Sequence, residues 1–251
     1  MVEIDRIYNE DCLEGMKQMP DNMVDSVITS PPYNYNLRIH YGKYGGRSVN
    51  DHNKYGKIFK DDMPMEEYFK WQRDCIAEML RISKGPVFYN IQMLTGNKVA
   101  LCQLLGHYAT QVKEIIVWDK INAEPAMHDG VLNSIWEFII VFDKTDAISR
   151  QFKVFNAGKG KLANMIRINK NTNRQNINHN AVSPMLLPQK IIHYFTPMGG
   201  VILDPFIGSG TTAIACIKEK RHYIGFELNK DYFDFAKKRI HEESLQLMLD
   251  L

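Results

Sequence analysis

Two segments far apart in the chain hold residue types that can do chemistry together. Near the start, Thr29-Ser30-Pro31-Pro32-Tyr33-Asn34 places a hydroxyl and a phenol around a proline pair. Proline fixes φ and stiffens an extended segment. Such a segment can grip a planar ring that carries an amine, with Ser30 and the Pro31 carbonyl as acceptors and Tyr33 offering its face. Near the end, Asp204-Pro205-Phe206-Ile207-Gly208-Ser209-Gly210-Thr211-Thr212 reads as a strand that turns through glycines into a helix. Glycines allow close backbone approach to a ligand, and a helix start offers free N–H donors. Those donors suit an amino-acid carboxylate as well as a phosphate, so this corner can hold a nucleoside cofactor.

One strand later comes Gly225-Phe226-Glu227-Leu228. An acidic residue at the end of the second strand is placed to accept both hydroxyls of a ribose. Dinucleotide binding competes with this reading, but the glycine spacing departs from G-x-G-x-x-G. An ordinary tight turn would need neither Asp204 nor Glu227.

The elements that must position these groups alternate between short apolar strands and amphipathic helices, the pattern of a wound α/β sheet. Val24–Thr29 reads as a buried strand ended by the double proline. Residues 66–82 put Tyr68, Trp71, Cys75, Met79 and Ile82 on one helical stripe, and Gly85-Pro86 stops that helix before a strand at Val87–Ile91. Ile115–Trp118 and Phe138–Phe142 are strand-like, and Pro184 opens a helix through Leu187, Ile191 and Phe195. Val201–Leu203 and Tyr223–Phe226 are strands, Thr211–Glu219 is a helix, and a last amphipathic helix starts at Asp231. Residues 35–62 and the asparagine-rich tract within 144–180 show little periodicity and read as loops. One domain over 1–251 accounts for the whole chain.

These motifs together resemble the S-adenosylmethionine-dependent DNA amino-methyltransferases in their beta-class order, with the catalytic tetrapeptide ahead of the cofactor loop. The resemblance implies a Rossmann-like methyltransferase sheet in circularly permuted order. It assigns Ser30, Pro31, Pro32 and Tyr33 to catalysis. It assigns Asp204, Phe206, Gly208, Ser209, Gly210, Thr211, Thr212, Glu227 and Leu228, together with Ser30, to S-adenosylmethionine. Asn9-Glu10-Asp11-Cys12 is similar to the strand end at which Asp11 meets the adenine amine beside Cys12. His179-x-Ala181-x-x-Pro184 is similar to the segment that closes over the cofactor, although Ser183 stands where many relatives carry Lys or Phe. Trp118-Asp119-Lys120 with Glu137-Phe138-Ile139-Ile140 resembles the lining of the target-base pocket.

In that chemistry the exocyclic amine of adenine or cytosine is a weak nucleophile, because its lone pair is delocalised into the ring. The sulfonium methyl is already activated. Orienting the amine and localising its lone pair is the main task, and no metal is required. In duplex DNA the base is flipped out first, and stacking on Tyr33 returns roughly 1–3 kcal/mol. Serine ahead of Pro-Pro is commoner among cytosine-N4 relatives, and both bases stay open. Rival readings are methylation of RNA or of a protein amide, and an inactive DNA-binding subunit that partners an active one. The first commonly goes with Asn-Pro-Pro-Tyr and the opposite motif order; the second sits poorly with intact motifs.

Charge adds a partner. The 251 residues carry a net charge of only +2. Residues 35–60 nevertheless hold six Lys/Arg against Asp51, and 144–180 hold eight against Asp146. Two basic segments on an acidic body suggest a face that tracks phosphates. Arg38, Lys43 and Arg47 in the first, and Arg150, Lys159, Lys161, Arg167 and Arg174 in the second, are the candidate contacts to double-stranded DNA, with Trp118 and Lys120 near the base. The second segment is the expected target-recognition region. Its shortness makes a homodimer an attractive way to widen the footprint, and a cognate restriction endonuclease is a natural companion. Cys12, Cys75, Cys102 and Cys216 show no paired spacing for a disulfide or zinc site. With no apolar run of spanning length and no signal pattern at the start, a cytoplasmic location is expected.

Overall fold

Val87–Ile91 is buried at every position, which is what a strand covered on both faces requires. Its neighbours share that composition, and side chains alternate between two apolar layers. The computed structural model describes residues 2–35, 37–40, 43–46, 61–122, 129–130, 132–145, 149–169 and 184–249, with only the backbone for 37–40, 43–46 and 247–249. In chain order the elements are β1 (Arg6–Tyr8), α1 (Cys12–Lys17), β2 (Ser26–Thr29), β3 (Leu37–His40), β4 (Lys43–Gly46), α2 (Met65–Ile82), β5 (Val87–Ile91) and α3 (Lys98–His107). There follow β6 (Val112–Asp119), β7 (Trp136–Phe142), β8 (Met165–Arg167), α4 (Leu186–Phe195), β9 (Val201–Asp204), α5 (Thr211–Lys218), β10 (His222–Phe226) and α6 (Lys230–Leu249).

Eight strands form one sheet in the order β1-β10-β9-β2-β5-β7-β6-β8. The strands from β1 to β5 are parallel, β7 runs antiparallel between β5 and β6, and β8 pairs parallel with β6 at the edge. One layer packs Met16 of α1, Ile76 and Met79 of α2 and Leu101 of α3 against Tyr89, Ile140, Leu203 and Ile224. The other packs Ile191 of α4, Ile214 of α5 and Ile240 of α6 against Phe88, Ile139, Ile202 and Tyr223. The two lists interleave along each strand, so every central strand feeds both layers.

The order places β9 beside β2, although the motifs they carry lie at opposite ends of the sequence. Their register pairs Ser26 with Ile202 and Val27 with Leu203. This is the α/β permuted sheet expected from the motif order. Ligands of such sheets bind beyond the carboxyl ends of the strands, where neighbouring connections diverge.

One loop expectation changes: within 35–62 the structure has an antiparallel hairpin of β3 and β4. Just ahead of the asparagine-rich tract, which lies outside the described residues from 170 on, Met165–Arg167 extend the sheet through hydrogen bonding to β6. Neither strand is long enough to show a period of two convincingly. Among the described residues no helix is long and apolar enough to cross a membrane.

Candidate active site

The cofactor corner is built around Asp204, the last residue of β9, which is buried. Its Oδ1 accepts from Thr29 Oγ1 at 2.7 Å and from the Phe206 amide at 3.1 Å, and its Oδ2 accepts from Thr212 Oγ1 at 2.6 Å. One carboxylate therefore joins the catalytic strand, the turn and the first turn of α5. Burial pushes its pKa up to about 6, against the opposing pull of these hydrogen bonds. Beyond it the chain takes left-handed conformations at Gly208 (φ 51°) and Gly210 (φ 81°), where a side chain would be strained. Gly210 precedes α5 with no side-chain cap, so the amides of the first turn are left without an intrahelical partner.

Glu227 follows β10 and closes the corner. Its Oε2 accepts from the Gly208 amide at 3.0 Å and its Oε1 from the Asn229 amide at 2.8 Å. Burial raises its pKa to about 7. Asn9 holds this bend from β1, donating from Nδ2 to the carbonyls of Glu227 (2.8 Å) and Leu228 (3.1 Å). Asn9 carries no motif signal of its own beyond its place before Asp11. Asp11 itself caps α1, accepting from the Leu13 and Glu14 amides on Oδ1, and Cys12 is buried in the core.

A stability prediction follows from the two raised carboxyl pKa values. A group whose folded pKa is raised contributes stability that is complete below its unfolded pKa and is lost as pH rises through the folded one. For Asp204 that window runs from 3.8 to about 6, and for Glu227 from 4.5 to about 7. The ligand-free protein is expected to weaken across this range. Urea unfolding at a series of pH values should show a flatter profile above pH ~6 in Glu227→Gln; parallel profiles for variant and parent would refute the assignment.

The catalytic segment leaves β2 at Ser30 and is pinned from behind. The Pro32 carbonyl accepts from the Tyr68 hydroxyl at 2.7 Å, and the Tyr33 carbonyl from Asn97 Nδ2 at 2.9 Å. Asn34, in the left-handed conformation with φ 56°, donates to the carbonyls of Met63 and Gly96. Asparagine is one of the few side chains that adopts this conformation readily. It is thus a structural bracket rather than a loop residue.

In front lies a polar cluster at the ends of β2, β5 and β7. Ser30 Oγ and the Tyr33 hydroxyl are 2.9 Å apart, and Tyr33 donates to Glu137 Oε2 at 2.9 Å. Asn90 Nδ2 donates to the Tyr33 oxygen and to Glu137 Oε2, both at 2.9 Å. Lys120 Nζ pairs with Glu137 Oε1 at 3.3 Å. Asn90 was not identifiable from the sequence: it interrupts an apolar strand, and only that interruption marks it. The phenol of Tyr33 is engaged as well as its ring.

The DNA-facing candidates divide. Trp118 is a correction: it is 4% exposed, in the core, with its indole N–H donated to the Ile168 carbonyl at 2.9 Å. Lys120, expected near the base, is buried and pairs with Glu137, whose other oxygen accepts from Tyr33. Arg150 and Arg167 remain exposed while pairing with Glu114 and Asp119, and Lys159 and Lys161 flank a surface turn closed by the Gly158 carbonyl. Arg38 and Lys43 lie on the β3–β4 hairpin, without described side chains. Arg47, Arg174, His179 and Ala181 lie outside the described residues. Among the described residues no cluster of His, Cys, Asp and Glu is arranged to hold a metal.

Comparison with known proteins decides the family. The N6/N4 DNA methylase family model matches residues 24–238. The chain belongs to this family. It is 28% identical to the type II methyltransferase M.BglII of Bacillus subtilis over 93% of this chain and 68% of that protein. It is also 28% identical to M2.MboI of Moraxella bovis, over 94% of this chain and 87% of the relative. Among solved structures, the cytosine-N4-specific PvuII DNA methyltransferase superposes with a TM-score of 0.72 over 97% of this chain and 92% of that one, at 17% identity, a likeness of fold. The complex of M1.HpyAVI with S-adenosylmethionine matches with a TM-score of 0.64 at 25% identity, covering 94% and 98% of the two chains. Membership sets the reaction class: methyl transfer to an exocyclic amino nitrogen in DNA, with S-adenosylmethionine as donor.

Proposed function

We propose that this methylase acts at a specific site in double-stranded DNA, on the N6 amine of a flipped-out adenine or the N4 amine of a flipped-out cytosine, through the residues above. The carrying observation is the Asp204 carboxylate, which bonds Thr29 beside the tetrapeptide and Thr212 beside the glycine turn. It holds the amine-gripping and cofactor-holding segments side by side. In this reading Glu227, whose backbone partners leave it free lone pairs, would hold the cofactor's ribose hydroxyls, and the unpaired amides of the first turn of α5 would hold its carboxylate. The adenine end lies toward Asp11 and Leu228, and Phe206 lines the crevice. The resemblance of His179-x-Ala181-x-x-Pro184 assigns His179 and Ala181 to the cofactor as well.

The methyl donor supplies an electrophile that needs no further activation. Ser30 Oγ and the Pro31 carbonyl accept the hydrogens of the target amine, which draws its lone pair out of conjugation and aims it at the sulfonium methyl. The face of Tyr33 receives the base. Water exclusion is assisted by the tight packing behind the segment, where Tyr68 and Asn97 take the carbonyls of Pro32 and Tyr33. As the N–CH3 bond forms, the S–CH3 bond breaks and the donor leaves as the neutral thioether; the nitrogen sheds one proton to water and the base returns to the duplex.

Residues 144–180, with the hairpin region 35–62, form the DNA-contacting surface in this reading. Lys159 and Lys161 hold phosphates, and Arg150, Arg167 and Arg174 are the candidates to read guanine edges. Arg150 and Arg167 would leave Glu114 and Asp119 to do so; exposed pairs of this kind are worth only about 0–1 kcal/mol. A second copy would widen the short footprint of one subunit, and a cognate endonuclease would share its site. Replacing Lys159 and Lys161 together with alanine is expected to weaken binding to all sequences alike and to lower the salt slope by up to about one unit per lost contact. Affinity measured across a salt series checks this; an unchanged slope would return both lysines to the solvent. The reading as a whole is tested by incubating the protein with labelled S-adenosylmethionine and DNA, RNA or protein substrates separately. Label transferred to an amino nitrogen of DNA is the expected result.

A further inference from the structure

We propose that the buried Lys120–Glu137 pair sets the direction of the hydrogen-bond chain through Tyr33 to Ser30, so that the Ser30 hydroxyl meets the target amine as an acceptor. The inference rests on the reading of Ser30 as the group that grips the amine. It begins from the burial of the pair: the side chains of Lys120 and Glu137 are 8% and 11% exposed, 3.3 Å apart. Charges removed from water persist only where further hydrogen bonds satisfy them. Lys120 satisfies Oε1 of Glu137, while Tyr33 and Asn90 satisfy Oε2.

The rest follows from which groups can donate. An ionised carboxylate only accepts and an ammonium only donates. The Tyr33 hydroxyl must therefore point its single proton at Glu137. The atom of Asn90 facing Glu137 must be its amide nitrogen, which settles an orientation that atom positions alone leave ambiguous. The same nitrogen donates to the Tyr33 oxygen. Asn90 is 7% exposed, and its Oδ1 has no partner among the described residues, an arrangement that carries an energetic penalty.

With Tyr33 donating to Glu137, the 2.9 Å contact between Ser30 and Tyr33 has one consistent polarity: Ser30 donates and Tyr33 accepts. Asn90 Nδ2 lies 3.5 Å from Ser30 Oγ, again on the donor side. The serine proton is thus directed inward, and oxygen lone pairs face outward. That polarity matters for a methylase. An amine offers N–H groups to a gripping residue, and a hydroxyl that turned its proton outward would oppose them or bind the nitrogen lone pair needed for attack. Lys120 and Glu137 are positioning residues here, acting through Tyr33 without touching the reacting atoms.

Glu137→Gln tests the idea because the new side chain keeps the shape and has one accepting and one donating end. Lys120 accepts nothing, so the glutamine must give its carbonyl to Lys120 and its NH2 to Tyr33. The chain then reverses, Tyr33 donates to Ser30, and the serine proton turns toward the amine. Asn90 has to flip to receive the other glutamine hydrogen, which sets its oxygen beside the Tyr33 hydroxyl as a rival acceptor, so Glu137→Gln is also measured in an Asn90→Ala background, where that acceptor is gone. Single-turnover methyl transfer from S-adenosylmethionine to cognate DNA is expected to fall about 100-fold in Glu137→Gln, the scale of one misdirected transition-state hydrogen bond. The effect should be in kcat, with the KM for DNA and cofactor affinity little changed.

The decisive arm adds Lys120→Met to that variant. With the ammonium gone, the glutamine can turn its carbonyl to Tyr33 and Asn90 and restore the original direction. The double variant is expected to be faster than Glu137→Gln, by about tenfold. A merely structural role predicts the reverse, because the second substitution removes one more contact. Tyr33→Phe breaks the chain in its middle, so Lys120→Met should not rescue it; this arm also serves if Glu137→Gln fails to bind cofactor and is thereby shown to be misfolded. Rescue of Tyr33→Phe by Lys120→Met, a double variant slower than Glu137→Gln, or a Glu137→Gln rate within about twofold of the parent, less than half a kcal/mol, overturns the proposal. Ser30→Ala run in parallel separates the two levels: if it leaves the rate unchanged, the reading of Ser30 itself fails. If it falls while Glu137→Gln does not, only the chain direction fails.

Discussion

Ser30→Ala should cut methyl transfer about 100- to 1,000-fold, the range seen when one pre-oriented transition-state hydrogen bond is removed. Cofactor affinity should stay close to the parent value. The two effects separate because Ser30 is one cofactor contact among many, most of which come from the turn at Gly208–Thr212, from Glu227 and Leu228 and from the residues after β1, whereas it is the side chain that grips the amine. Tyr33→Ala should lose turnover at least as strongly, since it removes both the stacking face and the hydroxyl that receives the serine proton. Calorimetric titration with S-adenosylmethionine beside single-turnover assays makes the comparison. Loss of cofactor binding in Tyr33→Ala would mean that the tetrapeptide and the cofactor corner are not the separable units described.

Asp204 is expected to behave otherwise, with binding, turnover and stability failing together. In Asp204→Ala the hydroxyls of Thr29 and Thr212 and the amide of Phe206 lose their common acceptor. Buried polar groups left unsatisfied cost about 1–3 kcal/mol each, partly offset here by removing a carboxylate whose pKa burial has raised. A net loss of roughly 2–4 kcal/mol is expected. Asp204→Asn should be much milder. Its carbonyl can still accept from Thr29 and Phe206, and its amide can donate to Thr212 after that hydroxyl rotates. Urea unfolding at pH 7 orders the three proteins; an alanine variant as stable as the asparagine one would show that the threonines find other partners.

Much of this was legible in the residues. The apolar run Val87–Ile91 and the glycine turn after Asp204 announce themselves because burial on both faces and left-handed backbone both restrict composition. The order of the motifs anticipated the permuted sheet, since β9 can neighbour β2 however the connections are cut. Legibility ended where a residue's role depends on partners distant in sequence. Asn90 looks like a flaw in a strand until Glu137 and Tyr33 stand beside it. Nothing around Asp204 in the sequence announces that Thr29, from the far end of the chain, is bonded to it. Trp118 lies near the end of a β-run in a segment expected to line the target-base pocket, and only its burial withdraws it from the DNA surface. The strands β3 and β8 were missed because three or four residues cannot display a period of two.

The bond between Thr29 and Asp204 spans 175 positions of the chain, and it has a consequence for synthesis. At about 5–20 residues per second, roughly 10–35 s separate the emergence of the two partners from the ribosome. Once β5 has emerged, β2 can pair with it on one side, but its other edge lacks β9 until the end of that interval. It presents unpaired backbone and an apolar strand, the features that invite pairing between chains. The nascent protein thus passes through a stage with an exposed seam along the middle of its future sheet, closed only when the cofactor-binding strand arrives. Ribosome-bound chains halted before residue 201 should accordingly be the most aggregation-prone and chaperone-dependent forms, and the last strands to be made are the ones that seal the centre.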